Sequence, residues 1–251
     1  MPSFRQKEAF AMTDLLYQTD SYLREASARV VAVNQELRGV ALDRTIVYPG
    51  GGGQPHDLGW LETNGRAMSI VGMQRAGEVL WHLVDVGAEP FPSAGAQVAL
   101  RLEWERRYRL MRTHTALHIL CGLIFRDYGA RVTGGNMEPG QARMDFEFER
   151  MQAELVREIE VKINAEVAAA RAVRVRILPR AEAFQIPDLI RTKINLLPAG
   201  IAEVRIVEIV GLDLQADGGT HVANTAEVGP IRIVDYKSKG RINKRLAISL
   251  E

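Results

Sequence analysis

With 251 residues, the chain is long enough for one large domain or two smaller ones, each with its own core. Hydrophobic residues make up 47% of it and charged residues 25%, a balance that is typical of a folded globular protein and excludes a disordered one. The net charge is only +1, so the overall charge gives no indication of a nucleic-acid partner.

Three further features favour a cytoplasmic protein without a membrane segment. No apolar run reaches the roughly 18 to 20 residues that cross a bilayer. The N-terminus, MPSFRQKEAF, lacks the apolar core of a signal peptide. A single cysteine, Cys121, excludes an intrachain disulfide framework and fits a reducing compartment.

The first hundred residues have the pattern of short β-strands. Segments such as ARVVAVNQ, GVALDRTIVY and EVLWHLVDV are rich in β-branched or alternating apolar residues, and Gly, Asn and Pro separate them. They predict a small barrel-like or sandwich domain over residues 1–102. Four consecutive glycines at residues 50–53, followed by Gln54, predict a loop within this domain that a bulky partner approaches closely.

The pattern becomes helical near Trp104. Apolar residues recur at three- and four-residue steps to about Asp127, and MQAELVREIEVKINAEVAAARA indicates a second helix. Strand-like runs such as AEVRIVEIV and LAISL follow. Residues 103–251 are therefore predicted to form an α/β two-layer domain, which places the whole chain in the α+β class.

Basic residues are concentrated in two places. One group precedes the histidines of the first helix and the other lies near the C-terminus: Arg101, Arg106, Arg107, Arg109 and Arg112, and Lys237, Lys239, Arg241, Lys244 and Arg245. Each group alone is typical of a solvated face. If the two groups converge in space, they would form a surface that attracts phosphates.

His114 and His118 are candidate metal ligands. Four residues apart on a helix, they would project from the same face, so both imidazoles could reach one ion. Zinc accepts imidazole nitrogen readily and usually takes three or four protein ligands. Two ordinary helix histidines are the alternative interpretation.

The sequence DGGTH could complete this site. Asp217 and His221 flank two glycines, and a tight turn there would present both side chains while leaving backbone N–H groups available to an anion. A simple hairpin turn is the alternative. Cys121, three residues beyond His118, is a rival fourth ligand, although free cysteines are more often small buried apolar residues.

Together these motifs resemble the free-standing alanyl-tRNA editing proteins of the AlaX type, which are related to the editing domain of alanyl-tRNA synthetase. The similarity covers nearly the whole chain. It rests on DSYLREASARVVAV and LDRTIVYPGGGGQPHDLG in the first half and on HTALHIL, ARMDF, GGTHVANTAEVG and KGRINKRL in the second. Motifs matched in order across both halves are far more specific than a histidine pair alone.

The resemblance implies a zinc site. In the family a His-x-x-x-His pair is joined by a Cys-x-x-x-His pair, so His114, His118 and His221 match by position. Asp217 stands where the family pattern has cysteine. A carboxylate is a harder ligand than a thiolate, which leaves three outcomes open: weaker zinc binding, a preference for another divalent ion, or no bound metal.

The resemblance also implies a reaction, namely hydrolysis of the ester in mischarged seryl- or glycyl-tRNA(Ala). Thr133, in VTGGNMEP, matches a threonine that recognises the serine hydroxyl, with a turn residue as the alternative. The glycine-rich motif would help confer specificity, and basic residues would contact tRNA phosphates. The further candidate substrate-binding residues are therefore Gly51, Gly52, Gly53, Gln54 and Arg112.

The candidate catalytic residues lie after the predicted metal ligand Asp217. Backbone N–H groups around Gly218 and Gly219 are expected to stabilise an oxyanion, and Thr220 belongs to the same turn. Glu227, like Asp145, could act as a base if it faces the pocket, and a strand-edge surface charge is the alternative. Two other functions stay open: an inactive tRNA-binding module of the same fold, and a metal hydrolase of small esters or amides.

Overall fold

The computed structural model describes residues 12–149, 151–192, 197 and 200–251, and these form two compact units. The first unit contains the described residues up to Pro49 together with His56–Glu103, and the second contains Gly50–Pro55 together with the described residues from Trp104 onward. The glycine-rich motif was predicted to lie within the N-terminal domain, but its contacts group it with the second unit. Within the described ranges, no helix is both long and apolar enough to span a bilayer.

A closed barrel of six strands forms the core of the first unit. The barrel strands are β2 (Glu25–Asn34), β3 (Gly39–Leu42), β5 (Gly59–Thr63), β6 (Arg66–Ala76), β7 (Val79–Asp85) and β8 (Gln97–Leu102). Around the barrel they follow the order β2–β3–β7–β6–β5–β8. A short parallel pair, β1 (Asp14–Leu15) and β4 (Arg44–Thr45), and a 3-10 turn at Leu16–Gln18 complete the unit.

The barrel follows from the alternation that the sequence shows. Along β8, Val98, Leu100 and Leu102 are buried and the residues between them are exposed. Met68 and Ile70 of β6 enter the same apolar core. Closure pairs every strand on both sides, so the alternating sheet leaves no edge. The predicted α+β class, with a barrel-like first part, is confirmed.

The second unit combines helices with two antiparallel sheets. Its helices are α1 (Trp104–Tyr128), α2 (Ala153–Ala168), the short α3 (Arg180–Ala183) and a 3-10 turn at Thr225–Val228. Its strands are β9 (Val132–Glu138), β10 (Gln141–Glu147), β11 (Val173–Pro179), β12 (Glu203–Ile209), β13 (Asp213–Ala216), β14 (Ile231–Ser238) and β15 (Asn243–Leu250). The two sheets have the strand orders β14–β15–β10–β9 and β11–β12–β13.

Helix α1 is the central element of this unit. Its middle is buried on all sides, from Thr113 to Ile124, which is typical of a core helix rather than a surface helix. It packs against strands of both sheets, β9 and β10 on one and β13 on the other. A Cβ at Gly122 would lie 2.7 Å from the Cβ of Asp213, so the glycine allows β13 to approach the helix closely. Polar side chains on α1 are therefore held in the interior, next to β13.

His82, on β7, is a buried histidine of the barrel. Its Nε2 lies 2.8 Å from Thr45 Oγ1, and its Nδ1 lies 3.1 Å from the carbonyl oxygen of Val40. Burial lowers the pKa of His82 from 6.5 to about 4, although the Val40 carbonyl favours the protonated ring. The folded barrel therefore holds His82 neutral.

We expect the stability of the barrel to fall as the pH decreases from about 6.5 to about 4. In this window the unfolded chain takes up a proton on His82 and the folded chain does not, so protonation favours unfolding. The difference between the two pKa values corresponds to about 3 kcal/mol of unfolding free energy. Urea unfolding of the wild type and of His82→Gln across this range measures it. The variant should lose this part of the pH dependence, and equal slopes for both proteins would contradict the prediction.

Candidate active site

Four side chains of the second unit converge on one point. His114 and His118 come from the buried middle of α1, and Asp217 and His221 come from the loop after β13. One possible ligand atom from each lies within 4.8 Å of all the others. Asp217 Oδ1 is 3.6 Å from His114 Nε2, and Asp217 Oδ2 is 3.0 Å from His221 Nε2. Ligand atoms around tetrahedral zinc lie roughly 3.3 Å apart, so this donor set and its spacing fit a divalent ion.

Cys121 does not belong to this group. The residues described here that could hold an ion are the three histidines and Asp217, without the cysteine. The Cys121 sulfur is buried and accepts a hydrogen bond from Gln215 Nε2 at 3.4 Å. Burial raises the pKa of the Cys121 thiol well above its ordinary value, which disfavours the thiolate that binds metals.

Each histidine of the group holds its Nδ1 atom against a partner outside the group. The partners are Gln54 Oε1 at 3.0 Å from His114, Asp213 Oδ2 at 3.1 Å from His118, and Thr115 Oγ1 at 3.1 Å from His221. The contact of His118 has the distance of an ion pair but not the alignment of a hydrogen bond. Histidine ligands of metals commonly engage their second ring nitrogen in this way, which fixes the ring and leaves the other nitrogen for the ion.

Burial and charge set the protonation states of the group. Burial lowers the pKa of His114 to about 4 and holds the pKa of His221 well below its usual range. Burial also lowers the pKa of His118, but the Asp213 and Asp217 carboxylates outweigh it and leave that pKa raised. Burial raises the pKa of Asp217, yet the three histidines hold it well below its usual range. Neutral imidazoles and an ionised carboxylate are the forms that bind metal, so His118 is the ligand whose proton a metal has to displace.

A glycine at position 219 allows the DGGTH turn to reach the helix. A Cβ there would overlap the His114 ring and would lie 2.6 Å from Gln54 Oε1. The Gly219 N–H donates to Asp217 Oδ2 at 2.7 Å, and the Thr220 N–H donates to Gln54 Oε1 at 3.0 Å. At Gly218, by contrast, a Cβ would meet nothing within 4 Å. Two of the three predicted catalytic residues of this turn therefore use their N–H groups to hold the site together.

A cavity of about 650 Å³ opens beside the four ligands. Its size is in the range of small-molecule sites. Three of the four metal-ligand candidates line it together with glycine-rich and loop segments: His114, His118, Asp217, Gly218, Gly52, Gly53, Thr133, Gly134, Gly135, Asn136, Arg191 and Thr192. The second unit provides all of these residues.

The glycine-rich segment forms a tight turn on this wall. Gly50, Gly51, Gly52 and Gly53 all have positive φ angles, a backbone region that side chains other than glycine rarely adopt. Gly51 and Gln54 exchange backbone hydrogen bonds of 3.0 and 2.9 Å. The carbonyl of Gly53 accepts from the N–H of Met137 on β9 at 3.1 Å. The turn is thereby fixed to β9 with Gly52 and Gly53 on the cavity.

The other predicted substrate-binding residues lie in different settings. Thr133 lines the cavity, and its hydroxyl donates to Asn243 Oδ1 at 2.8 Å. Gln54 is buried behind the cavity wall, where it contacts His114 and Thr220. Arg112 donates to the carbonyl oxygens of Val228 and Glu251, and it is not among the described residues that line the cavity. The side chains of Gln54 and Arg112 therefore bind other groups of the protein in this structure, whereas the sequence predicts that they bind substrate.

The two candidate bases also have protein partners. Glu227 accepts from the Tyr108 hydroxyl at 3.0 Å and from the Asn224 N–H at 3.1 Å, where it closes the capping box of the last 3-10 turn. Asp145 accepts from Arg245 at 2.7 and 2.8 Å. Neither carboxylate is one of the cavity-lining residues of the described chain. Both have structural roles in this arrangement.

Parts of the two basic groups are internal. Arg107 is fully buried in α1, and Lys244 is buried and donates to the carbonyl oxygens of Gly240 and Arg241. Arg245 is paired with Asp145. The number of cations in these groups that can meet a phosphate is therefore smaller than the sequence indicates.

Three further residues of the site were not predicted from the sequence. Asp213 and Thr115 contact histidine ligands, and Arg205 is buried with its Nη1 at 3.0 Å from the carbonyl oxygen of Asp217. The sequence carries a weak signal for two of them. Thr115 stands between the two histidines, and Asp213 repeats an acidic residue four positions before Asp217.

Two family models of tRNA synthetase domains match parts of the chain. The family model described as the second additional domain of threonyl and alanyl tRNA synthetases matches residues 204–247. The model for class II (A) tRNA synthetases matches residues 6–106.

Individual relatives define the family more closely. The alanyl-tRNA editing protein AlaX-M of Saccharolobus solfataricus is 40% identical over 240 residues, which cover 94% of this chain and 98% of the relative. The protein of the same name from Methanosarcina barkeri is 35% identical over 242 residues, which cover 95% and 99%. The alanine–tRNA ligase of Ignicoccus hospitalis is 36% identical over 236 residues, 92% of this chain but 25% of the ligase. The chain belongs to the alanyl-tRNA editing protein family, which confirms the resemblance.

Proposed function

We propose that the protein is a trans-editing hydrolase that removes serine, and also glycine, from mischarged tRNA(Ala). The observation that carries the proposal is the group of three histidines and one carboxylate, of which His114, His118 and Asp217 line a cavity of about 650 Å³. The full-length match to proteins named alanyl-tRNA editing proteins supports the choice of substrate. The proposed partner is the acceptor end of tRNA, and the proposed setting is the cytoplasm.

We propose zinc as the ion of this site, held by His114, His118, Asp217 and His221. The atoms that would bind zinc lie within 4.8 Å of one another. The Nδ1 atoms of the three histidines face Gln54, Asp213 and Thr115, which leaves their Nε2 atoms for the ion. Zinc bound there would supply Lewis acidity, which polarises an ester carbonyl and lowers the pKa of a coordinated water. Replacing the family's cysteine by Asp217 exchanges a soft ligand for a hard one, so we expect weaker zinc binding than with a thiolate.

Gly218 is the proposed donor to the oxyanion that forms when the ester is attacked. It lines the cavity, and among the described residues its N–H has no protein acceptor. The neighbouring N–H groups of Gly219 and Thr220 are used by Asp217 and Gln54. They keep the turn in place and leave the Gly218 N–H on the cavity wall to stabilise developing negative charge.

Thr133 is the proposed specificity residue. Its hydroxyl has one proton, which it donates to Asn243 Oδ1, so towards the cavity Thr133 can only accept a hydrogen bond. A serine hydroxyl can donate to it, whereas the methyl group of alanine cannot. An alanyl ester would leave the Thr133 acceptor without a partner, at a cost of about 1–3 kcal/mol.

We expect Thr133→Val to reduce kcat/KM for Ser-tRNA(Ala) by roughly 10- to 100-fold, because the isosteric side chain removes the acceptor. The rate on Gly-tRNA(Ala) should not fall, since a glycyl ester has no hydroxyl that could donate to Thr133. Deacylation assays on both substrates with the same enzyme preparation measure the two ratios. An equal loss on both would show that Thr133 supports the cavity without reading the hydroxyl.

Deacylation of Ser-tRNA(Ala) tests the proposed function itself. We expect purified protein supplied with zinc to hydrolyse Ser-tRNA(Ala) far faster than correctly charged Ala-tRNA(Ala). Binding of tRNA without hydrolysis would instead indicate an inactive binding module. Hydrolysis of small esters with no effect on either tRNA would indicate a small-ester hydrolase.

A further inference from the structure

Gln54 connects the glycine-rich turn to a metal-ligand candidate 60 residues further along the chain. The side chain is buried, with 2% of its surface exposed. Its Oε1 lies 3.0 Å from His114 Nδ1 and accepts from the Thr220 N–H at 3.0 Å. Its Nε2 donates to Thr220 Oγ1 at 2.8 Å. Every polar atom of this amide therefore contacts either a ligand candidate or the turn that carries two others.

These contacts determine which nitrogen of His114 carries the proton. The Thr220 backbone N–H can only donate, so the amide atom facing it must be the oxygen. The same oxygen faces His114 Nδ1, so Nδ1 must be the protonated nitrogen of the neutral ring. Nε2 is then the atom with a free lone pair, and it is the atom that lies 3.6 Å from Asp217 Oδ1. The amide thus selects the tautomer that a metal site needs.

The close fit around Gln54 explains the two sequence motifs that meet there. Its Oε1 would lie 2.6 Å from a Cβ at position 219, so the space that the amide oxygen occupies requires glycine in DGGTH. The backbone of Gln54 is fixed by its hydrogen bonds to Gly51, and the Gly53 carbonyl is bound to β9. The position of the amide is therefore determined by the glycine-rich turn.

We propose that Gln54 is a positioning residue of the metal centre, which orients His114 and locks the DGGTH turn while its glycine neighbours line the substrate cavity. This inference rests on the metal site of the proposed function. Gln54 was predicted from the sequence to bind substrate directly. The inference instead gives it the role of holding a metal ligand in place. Movement of the turn on the cavity wall would then move His114.

Two variants of Gln54 test this role through metal binding. Gln54→Met keeps the approximate length and apolar stem but has no amide acceptor, and we expect zinc affinity to fall roughly 10- to 100-fold. Gln54→Glu keeps oxygens that accept from His114 Nδ1–H and from the Thr220 N–H, and we expect affinity close to wild type. Gln141→Met, at an exposed glutamine of β10, is the matched control and should bind zinc as the wild type does. Competition with a chromophoric chelator measures the affinities, and the visible spectrum of the Co²⁺ form reports the geometry.

The protonated ring nitrogen of His114 can be identified in the wild type alone, by nitrogen NMR of histidine-labelled, metal-free protein. The wild type should show His114 with Nδ1 protonated, and Gln54→Glu should show the same. If His114 in the wild type is protonated at Nε2, the inference is wrong. It is also wrong if Gln54→Met folds and keeps both the zinc affinity and the Co²⁺ spectrum of the wild type.

The inference and the proposed function fail in distinguishable ways. Wild-type protein that hydrolyses Ser-tRNA(Ala) while Gln54→Met binds zinc normally would refute the inference alone. If Gln54→Met binds zinc more weakly but the wild-type protein has no deacylase activity, only the proposed function is refuted.

Discussion

Gly219→Ala is expected to weaken zinc binding by at least about 100-fold, because the new methyl group would occupy the space of the His114 ring. The ring is buried and its Nδ1 is bound to Gln54, so it can move away only by breaking that contact. Metal sites tolerate displacements of only about 0.5 Å. Overpacking should also reduce stability by about 1–3 kcal/mol.

Gly218→Ala is the matched control for this variant, since a Cβ at that position meets nothing within 4 Å. Its zinc affinity should remain near that of the wild type. Isothermal titration of both metal-free variants with zinc, with a thermal melt to verify folding, gives the comparison. Equal affinities for the two variants would show that the DGGTH turn is not held as tightly against His114 as described.

His114→Ala should reduce zinc affinity by more than about 100-fold. Structural zinc sites with four ligands bind with about 10–16 kcal/mol, so loss of one ligand removes about 3 kcal/mol. The stabilisation of the folded protein by added zinc should disappear with it, because that stabilisation reflects binding to the native state. Melting temperatures with and without zinc measure this effect.

His56→Ala provides the comparison for a histidine outside the group. It should retain both zinc affinity and the zinc-dependent rise in melting temperature. If His114→Ala is stabilised by zinc as strongly as His56→Ala, then zinc binds the protein elsewhere.

The parts of the site that the sequence predicts are those fixed by local geometry. His114 and His118 are one helical turn apart, so any helix through them places both side chains on one face. Asp217 and His221 lie on one turn, and the glycines between them mark it. That this turn meets the helix pair was a hypothesis from the ligand types, which the family resemblance strengthened, because no local rule brings residue 221 to residue 114.

The parts that the sequence did not predict depend on contacts between distant segments. Gln54 contacts Thr220 across 166 residues of sequence. The glycine-rich turn groups with the second unit although residues of the first unit precede and follow it in sequence. Glu227 has a carboxylate that could act as a catalytic base, but this carboxylate already accepts hydrogen bonds from the Asn224 N–H and the Tyr108 hydroxyl. A carboxylate's function is set by its neighbours, which single-sequence patterns do not contain.

The barrel illustrates the opposite case. Strand alternation such as that of β8 is a local property, and closure follows from pairing strands that each have one apolar face. The buried histidine within it, His82, carries no such signal. Its burial is a consequence of its position on β7 opposite β3, where His82 pairs with Val40.

A zinc titration of metal-free protein, with the deacylation rate on Ser-tRNA(Ala) followed at each point, tests the central claim most directly. The site described here predicts that activity rises in proportion to bound zinc and reaches its maximum at one ion per chain, while His114→Ala stays inactive throughout. Full activity in metal-free protein, or no activity at full zinc occupancy, would contradict the assignment of His114, His118, Asp217 and His221 as the metal centre of an editing hydrolase.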